Sequence, residues 1–115
     1  MKSPITTHVL DTAQGRPAAG VTVTLALQTA PDQWSEIGRG VTDEDGRITD
    51  LLPSTQPAEE GTYRLTFKVD DYFAATRVTG FYSTIPIIFE LRDPTAHYHV
   101  PLLLNPFGYS TYRGS

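Results

Sequence analysis

Apolar and polar residues alternate along much of this chain, which is the pattern of β-strands with one buried and one wetter face. The most regular segments are 20–28, with Val21, Val23, Leu25 and Leu27 on one face, and 61–69, with Tyr63, Leu65, Phe67 and Val69 on one face. Further strands are predicted at 5–10, 34–42, 48–52, 98–104 and 108–113. Segment 85–92 is apolar on nearly both faces, which predicts a more deeply covered strand. Glycines at 38 and 40 indicate a bulge or bend in the strand at 34–42.

Turn signals separate these segments at short intervals. Pro31-Asp32 divides two strands, and Asp45-Gly46 is typical of a tight hairpin, followed at once by Arg47. Segment 70–77 alone predicts a helix, because it starts with aspartates, continues with alanines and ends on an arginine. About eight short strands and one short helix predict an all-β fold, an antiparallel β-sandwich. The 115 residues suffice for one domain, 1–115.

Composition excludes several classes of function. A formal net charge of -4 with no basic run argues against nucleic-acid binding. The absence of cysteine excludes disulfides, thiol nucleophiles and cysteine-ligated metal sites. The longest apolar runs fall far short of the ~20 residues that span a bilayer. The start of the chain shows no apolar signal stretch, so we expect a cytoplasmic protein.

Three histidines are the first candidates for chemistry. His8 shares a strand face with Thr6 and Leu10, and His97 and His99 lie two residues apart, so both point the same way on an extended segment. Such histidines can be surface or hydrogen-bonded structural residues, a base near neutral pH, or metal ligands. A zinc site would require His8 to meet the other two across the sandwich, and the spacing leaves this open.

Other polar and aromatic residues offer weaker signals. Arg47 lies at a sheet end, where it can be a solvated surface arginine or can reach a ligand. The acidic run 43–45 suits a solvated turn or calcium. There is no Gly-x-Ser-x-Gly elbow and no phosphate-binding glycine loop. Phe107, Tyr109 and Tyr112 near the end of the chain indicate a strand docked on the sheet or on another subunit.

Four motifs together resemble one family. They are Thr7-His-Val-Leu-Asp-Thr12, Asp45-Gly-Arg47, His97-Tyr-His-Val-Pro-Leu-Leu103 and Tyr112-Arg-Gly-Ser115. In this order, over essentially the whole chain, they resemble the 5-hydroxyisourate hydrolases, the transthyretin-related enzymes of urate degradation. The resemblance implies a transthyretin-like antiparallel β-sandwich of two four-stranded sheets with one short helix. It also implies a homotetramer, a dimer of dimers with active sites where the dimers meet, and no cofactor or metal.

The resemblance also implies the reaction and the residues that carry it. Water would open the N1–C6 ring amide of 5-hydroxyisourate and give 2-oxo-4-hydroxy-4-carboxy-5-ureidoimidazoline. The residues that match the family's catalytic positions are His8, Arg47 and His99, and those that match substrate contacts are His8, Arg47, Tyr112, Ser115 and Arg113. His8 and His99 would position and activate water, while Arg47 would polarise the carbonyl. Which histidine is the general base stays open.

Three competing functions fit parts of the same sequence. A transthyretin-like carrier would bind small planar ligands without chemistry, although a cationic pocket with histidines suits apolar aromatics poorly. A zinc hydrolase would use His8, His97 and His99, and metal analysis with chelator sensitivity would reveal it. An immunoglobulin-like adhesion module would have no site, and the absence of cysteine argues against an extracellular location.

Overall fold

The computed structural model describes residues 3–53 and 57–114, which form two β-sheets packed face to face. The strands and the helix, in chain order, are β1 Ile5–Asp11, β2 Arg16–Pro17, β3 Thr22–Ala30, β4 Gln33–Val41, β5 Arg47–Ile48, β6 Gly61–Lys68, α1 Val69–Ala75, β7 Ile85–Leu91, β8 Tyr98–Asn105 and β9 Gly108–Thr111. One sheet has the order β2-β1-β8-β9, with β5 also pairing β1, and the other has the order β4-β3-β6-β7. The predicted sandwich with one short helix is therefore confirmed.

Two details of the sheets differ from the expectation. The central pair β1 and β8 runs parallel, whereas every other strand pair is antiparallel among the described residues. The first sheet has a fifth member, because the two-residue strands β2 and β5 pair with successive parts of β1. A parallel pair requires a long connection, and here the second sheet and the helix provide it.

The alternating residues form the core between the sheets. The inward side chains of β1, β3, β6 and β8 are fully or almost fully buried, including Ile5, Val9, Val23, Leu25, Leu65, Phe67 and Leu102. Each such side chain contributes about 1.5–3 kcal/mol by leaving water. Because one residue of slip would turn these side chains out of the core, their burial fixes the register. That register in turn determines which polar residues share the outer face of each sheet.

Two predicted segments need correction, and a predicted bulge is found. Segment 48–52 is not a strand beyond Ile48, because Leu51 and Leu52 enter the core on irregular backbone, with the Leu52 amide bonded to the Ser3 hydroxyl. Segment 85–92 is not deeply covered: β7 is the edge of its sheet and Ile88 exposes 58% of its surface. The predicted bulge is confirmed beside Gly38, where the register skips one residue of β4.

The helix is shorter than predicted and is tied to β1 by a buried hydrogen bond. It ends at Ala75 and not at Arg77, because Arg77 adopts a left-handed conformation (φ 60°) that cannot continue the helix. Its Tyr72 hydroxyl donates to the Asp11 carboxylate at 2.7 Å. Burial and this acidic partner raise the pKa of Tyr72 to about 12. Asp11, part of the first family-like motif, therefore has a structural role.

Candidate active site

The parallel pairing of β1 and β8 brings the histidines onto one surface. In this register Thr6 lies beside His99 and His8 lies beside Pro101. Paired residues of neighbouring strands point to the same side of a sheet, and the core residues of β1 alternate with Thr6 and His8. The two histidines therefore lie on the outer face of one sheet. They do not meet across the sandwich, as the zinc hypothesis required.

Arg47 joins the same surface through a turn at 43–46, which connects β4 of one sheet to β5 of the other and is therefore not the tight hairpin that the sequence predicts. β5 places it directly beside His8. The turn is closed by Asp43, whose carboxylate accepts the amides of Asp45 and Arg47 at 2.9 and 3.0 Å. Gly46 has φ 74° and its missing side chain lets the backbone approach Val9, whose amide donates to the Gly46 carbonyl. The acidic run is thus a turn that presents Arg47. We call the surface formed by Thr6, His8, Arg47, His99 and Pro101 the histidine face.

Charge and hydrogen bonding on the histidine face favour binding of a polar ligand. His8 is half-buried, and its imidazole forms no hydrogen bond with the described residues. Arg47 is exposed, and the one salt bridge among the described residues joins Arg39 to Glu36 on the other sheet. The Arg47 guanidinium is therefore a cation with five donors that can bind a carbonyl or an oxyanion.

Sequence reasoning missed the part played by Thr6 and left the role of His97 open. The Thr6 hydroxyl lies 2.8 Å from Nδ1 of His99 and 3.1 Å from Nε2 of His97. The two imidazole rings are nearly parallel, with centroids 6.4 Å apart. The available signal was the alternation that put Thr6 on the same strand face as His8, but the parallel neighbour of that strand could not be identified from the sequence.

The segment after β9 returns to the histidine face and packs against His99. The Gly114 amide donates to the His99 carbonyl at 2.8 Å. A Cβ atom on Gly114 would lie only 2.7 Å from Cδ2 of the His99 ring, so glycine permits this contact. The same antiparallel register places Tyr112 opposite Pro101. Ser115, the remaining predicted substrate contact, lies outside the described residues.

Arg113 lies apart from the other site candidates. Its guanidinium stacks over the ring of Tyr98 at 4.5 Å. Both residues line a cleft of about 220 Å³ between β7 and the β8–β9 pair, together with Ile87, Phe89, Val100 and Tyr112. None of His8, Arg47 and His99 borders this cleft. Arg113 therefore anchors the end of the chain to β8 on the side away from the histidines.

Metal-ligating clusters and membrane-spanning helices can be assessed for residues 3–53 and 57–114. These residues contain no group of three or more histidine, cysteine, aspartate or glutamate side chains arranged to hold a metal ion. The Thr6 hydroxyl lies between His97 and His99, and His8 is on β1, the strand beside the one that carries His99. In the same ranges no helix has the length and apolar character needed to cross a membrane.

Fold and site together define a class of protein: a transthyretin-like β-sandwich with a polar face of two histidines and an arginine on its outer surface. The chain belongs to the HIUase/Transthyretin family, whose profile matches residues 5–114. A curated 5-hydroxyisourate hydrolase from Mus musculus is 44% identical over 114 residues, which cover 98% of this chain and 96% of the relative.

Two solved structures show how far the fold is shared. The 5-hydroxyisourate hydrolase of Klebsiella pneumoniae superposes with a TM-score of 0.83 at 34% identity, covering 96% of this chain and 92% of its own. Sea bream transthyretin in complex with thyroxine superposes with a TM-score of 0.89 at 32% identity, covering 97% of this chain and 95% of the transthyretin chain. Because an enzyme and a thyroxine-binding protein both match, the fold alone does not decide between catalysis and carriage.

Proposed function

We propose that this chain is a hydrolase that opens the ring amide of 5-hydroxyisourate in urate degradation. The observation that carries the proposal is the histidine face, where His8 and Arg47 are direct neighbours across β1 and β5 and His99 lies on the adjacent strand. Relatives named 5-hydroxyisourate hydrolase, 42–46% identical over nearly the whole chain, support the choice of substrate.

The reaction needs a base, an oxyanion partner and an acid. A neutral imidazole of His8 or His99 takes a proton from water as the water oxygen bonds to C6. Electron density moves to the carbonyl oxygen, where the Arg47 guanidinium can stabilise the developing charge. The C6–N1 bond then breaks, and the imidazolium returns its proton to N1. Atoms and charge balance with water as the only co-substrate.

Substrate binding is assigned to groups around this centre. Arg47 and His8 would hold the planar ring through its carbonyl and N–H groups, while Tyr112, which exposes 57% of its surface, and Ser115 would contact it from the end of the chain. Residues 3–53 and 57–114 form no lid over the site, since Arg47, His97 and Tyr112 are all exposed. A second copy is needed to enclose a substrate from water.

The assembly we propose is a homotetramer, a dimer of dimers with its sites where the dimers meet. Strands β7 and β9 are the edges of their sheets and leave backbone groups available for pairing with a second copy. Apolar side chains cluster on and near these edges: Phe81, Tyr82, Ile88, Phe107, Tyr109 and Tyr112 are exposed. Pairing about a two-fold axis would cover both features.

Site variants test the assignment directly. We expect His99→Ala to lower turnover of freshly generated 5-hydroxyisourate by about 10²–10⁴-fold, and Arg47→Lys, which loses the planar fork, by about 10²–10³-fold. Arg39→Lys is the matched control, because Arg39 is an exposed arginine on the other sheet, and it should keep wild-type turnover. Wild-type activity in the His99→Ala variant would remove His99 from the mechanism.

A cytoplasmic location stays a prediction that cell fractionation would test.

A further inference from the structure

The Thr6 hydroxyl connects two imidazole rings, and a hydroxyl has only one proton. Oγ1 of Thr6 lies 2.8 Å from Nδ1 of His99 and 3.1 Å from Nε2 of His97. Both distances are within the range of hydrogen bonds. A threonine hydroxyl can donate to one of these nitrogens only, so at least one ring must donate its own N–H to Thr6. In two proton arrangements the hydroxyl donates to one ring and accepts from the other.

The two arrangements differ in which nitrogen of His99 can accept a proton. If His99 donates from Nδ1, Thr6 donates to His97 and the lone pair of His99 is on Nε2. If Thr6 donates to His99 instead, Nε2 of His99 already carries its proton. In that case only Nδ1, which the hydroxyl occupies, could accept another. Only the first arrangement lets His99 take a proton without breaking the bond to Thr6.

The orientation of the His99 ring, which is common to both arrangements, makes Nδ1 the nitrogen that faces Thr6. Nδ1 points towards β1, and Cδ2 packs against Gly114 on the opposite side. Nε2 is therefore at the end of the ring that is distant from Thr6. Thr6 exposes only 3% of its surface, so water has little access to replace its hydroxyl. The ionisable side chains on or beside this face include His8, Arg47, His97 and Tyr112, and the Asp43 carboxylate lies in the turn before Arg47.

We propose that Thr6 is a positioning residue that accepts the Nδ1–H of His99, donates to Nε2 of His97, and so keeps Nε2 of His99 as the basic nitrogen. That Nε2 of His99 acts as a base in catalysis rests on the proposed hydrolase function. His97 thereby acquires a role as the acceptor that orients the Thr6 hydroxyl. The interaction strengthens when His99 becomes an imidazolium, because the donor is then charged.

The test replaces the hydroxyl without changing the shape of the side chain. We expect Thr6→Val to lower kcat about tenfold with KM changed by less than about twofold, because a net hydrogen bond is worth about that factor. The acidic limb of the kcat profile should move to lower pH, since the imidazolium loses an acceptor. Thr6→Ser, which keeps the hydroxyl, should restore kcat to within about twofold of wild type.

The neighbouring threonine supplies a matched control. Thr7 is fully buried, faces the core, and donates its hydroxyl to the Val100 carbonyl at 2.6 Å. Thr7→Val removes a comparable bond from the same strand without contacting a histidine, so its kcat and pH profile should match those of the wild type. Equal losses in the two valine variants would show a merely structural effect and would overturn the proposal.

A spectroscopic readout separates this proposal from the hydrolase function. Nitrogen-15 NMR of the His99 ring in the wild-type protein should show the neutral form protonated at Nδ1, and Thr6→Val should mix the two tautomers. An Nε2–H tautomer in the wild type would refute the role of Thr6 even if the protein hydrolyses 5-hydroxyisourate. Conversely, a wild-type protein without activity would refute the hydrolase function, while the tautomer would still decide the positioning role. If Thr6→Val does not fold, the wild-type spectrum and Thr6→Ser decide it.

Discussion

Substituting Gly114 by alanine is the sharpest perturbation of the candidate site that the fold allows. The added Cβ would lie 2.7 Å from Cδ2 of His99 and 3.3 Å from Cγ of Pro101. The first distance is about 0.7 Å short of ordinary van der Waals contact, which begins near 3.4 Å. Because the Gly114 amide is also bonded to the His99 carbonyl, the end of the chain cannot withdraw without losing that hydrogen bond.

The expected result is a loss of rate without a loss of fold. A catalytic group displaced by close to 1 Å can lose on the order of 10²-fold in rate, so we expect Gly114→Ala to lower kcat/KM by about 10–100-fold. The assay is the initial rate at which 5-hydroxyisourate absorbance disappears, corrected for spontaneous decay, with circular dichroism as a check on folding.

Gly108→Ala is the matched control for this variant. A Cβ on Gly108 would meet only the Asn105 side-chain amide at 3.8 Å, an ordinary contact. This variant should therefore keep wild-type activity. A Gly114→Ala protein with wild-type kcat/KM would show that the contact between the end of the chain and His99 does not set the geometry of the site.

The remaining predictions concern stability, the end of the chain and assembly. Tyr72→Phe should lower the free energy of unfolding by about 1.5–3 kcal/mol, because a buried carboxylate loses a donor. Since burial raises the pKa of Tyr72 from 10.0 to about 12, its contribution to stability is complete below pH 10 and is lost as pH rises through 12. Denaturant titrations should show this decline, about 3 kcal/mol, in the wild type only. Deleting residues 112–115 should abolish turnover and leave the sandwich folded, as circular dichroism would show; normal turnover would remove these residues from the site. Light scattering should give about four times 12.7 kDa, and a fully active monomer at nanomolar concentration would exclude a shared site.

Most of the fold could be predicted from local pattern. Alternation identified β3 and β6 because their inner residues are fully buried between two sheets, and Asp45-Gly46 identified the turn before Arg47. Alternation failed where residues are buried without belonging to a strand, and where a strand residue is apolar without being buried. Leu51 and Leu52 are buried on irregular backbone, and Ile88 is apolar on the exposed edge strand β7.

The candidate site was predictable in its residues but not in its geometry. The motifs identified His8, Arg47 and His99, and the strand alternation correctly put Thr6 on the face of His8. That β1 pairs in parallel with β8, whose residues lie 93 positions later in the chain, depends on long-range packing that no local pattern encodes. For this reason the hydroxyl between His97 and His99, and the contact of Gly114 with the His99 ring, appear only in the folded chain.

The decay of 5-hydroxyisourate absorbance in the presence of the wild-type protein tests the central claim most directly. The account predicts that micromolar protein accelerates the decay far beyond the spontaneous rate, with one ring-opened product formed per substrate consumed. A protein that binds the compound, or another planar ligand, without any acceleration would contradict it and would assign this chain to the carriers that share the fold.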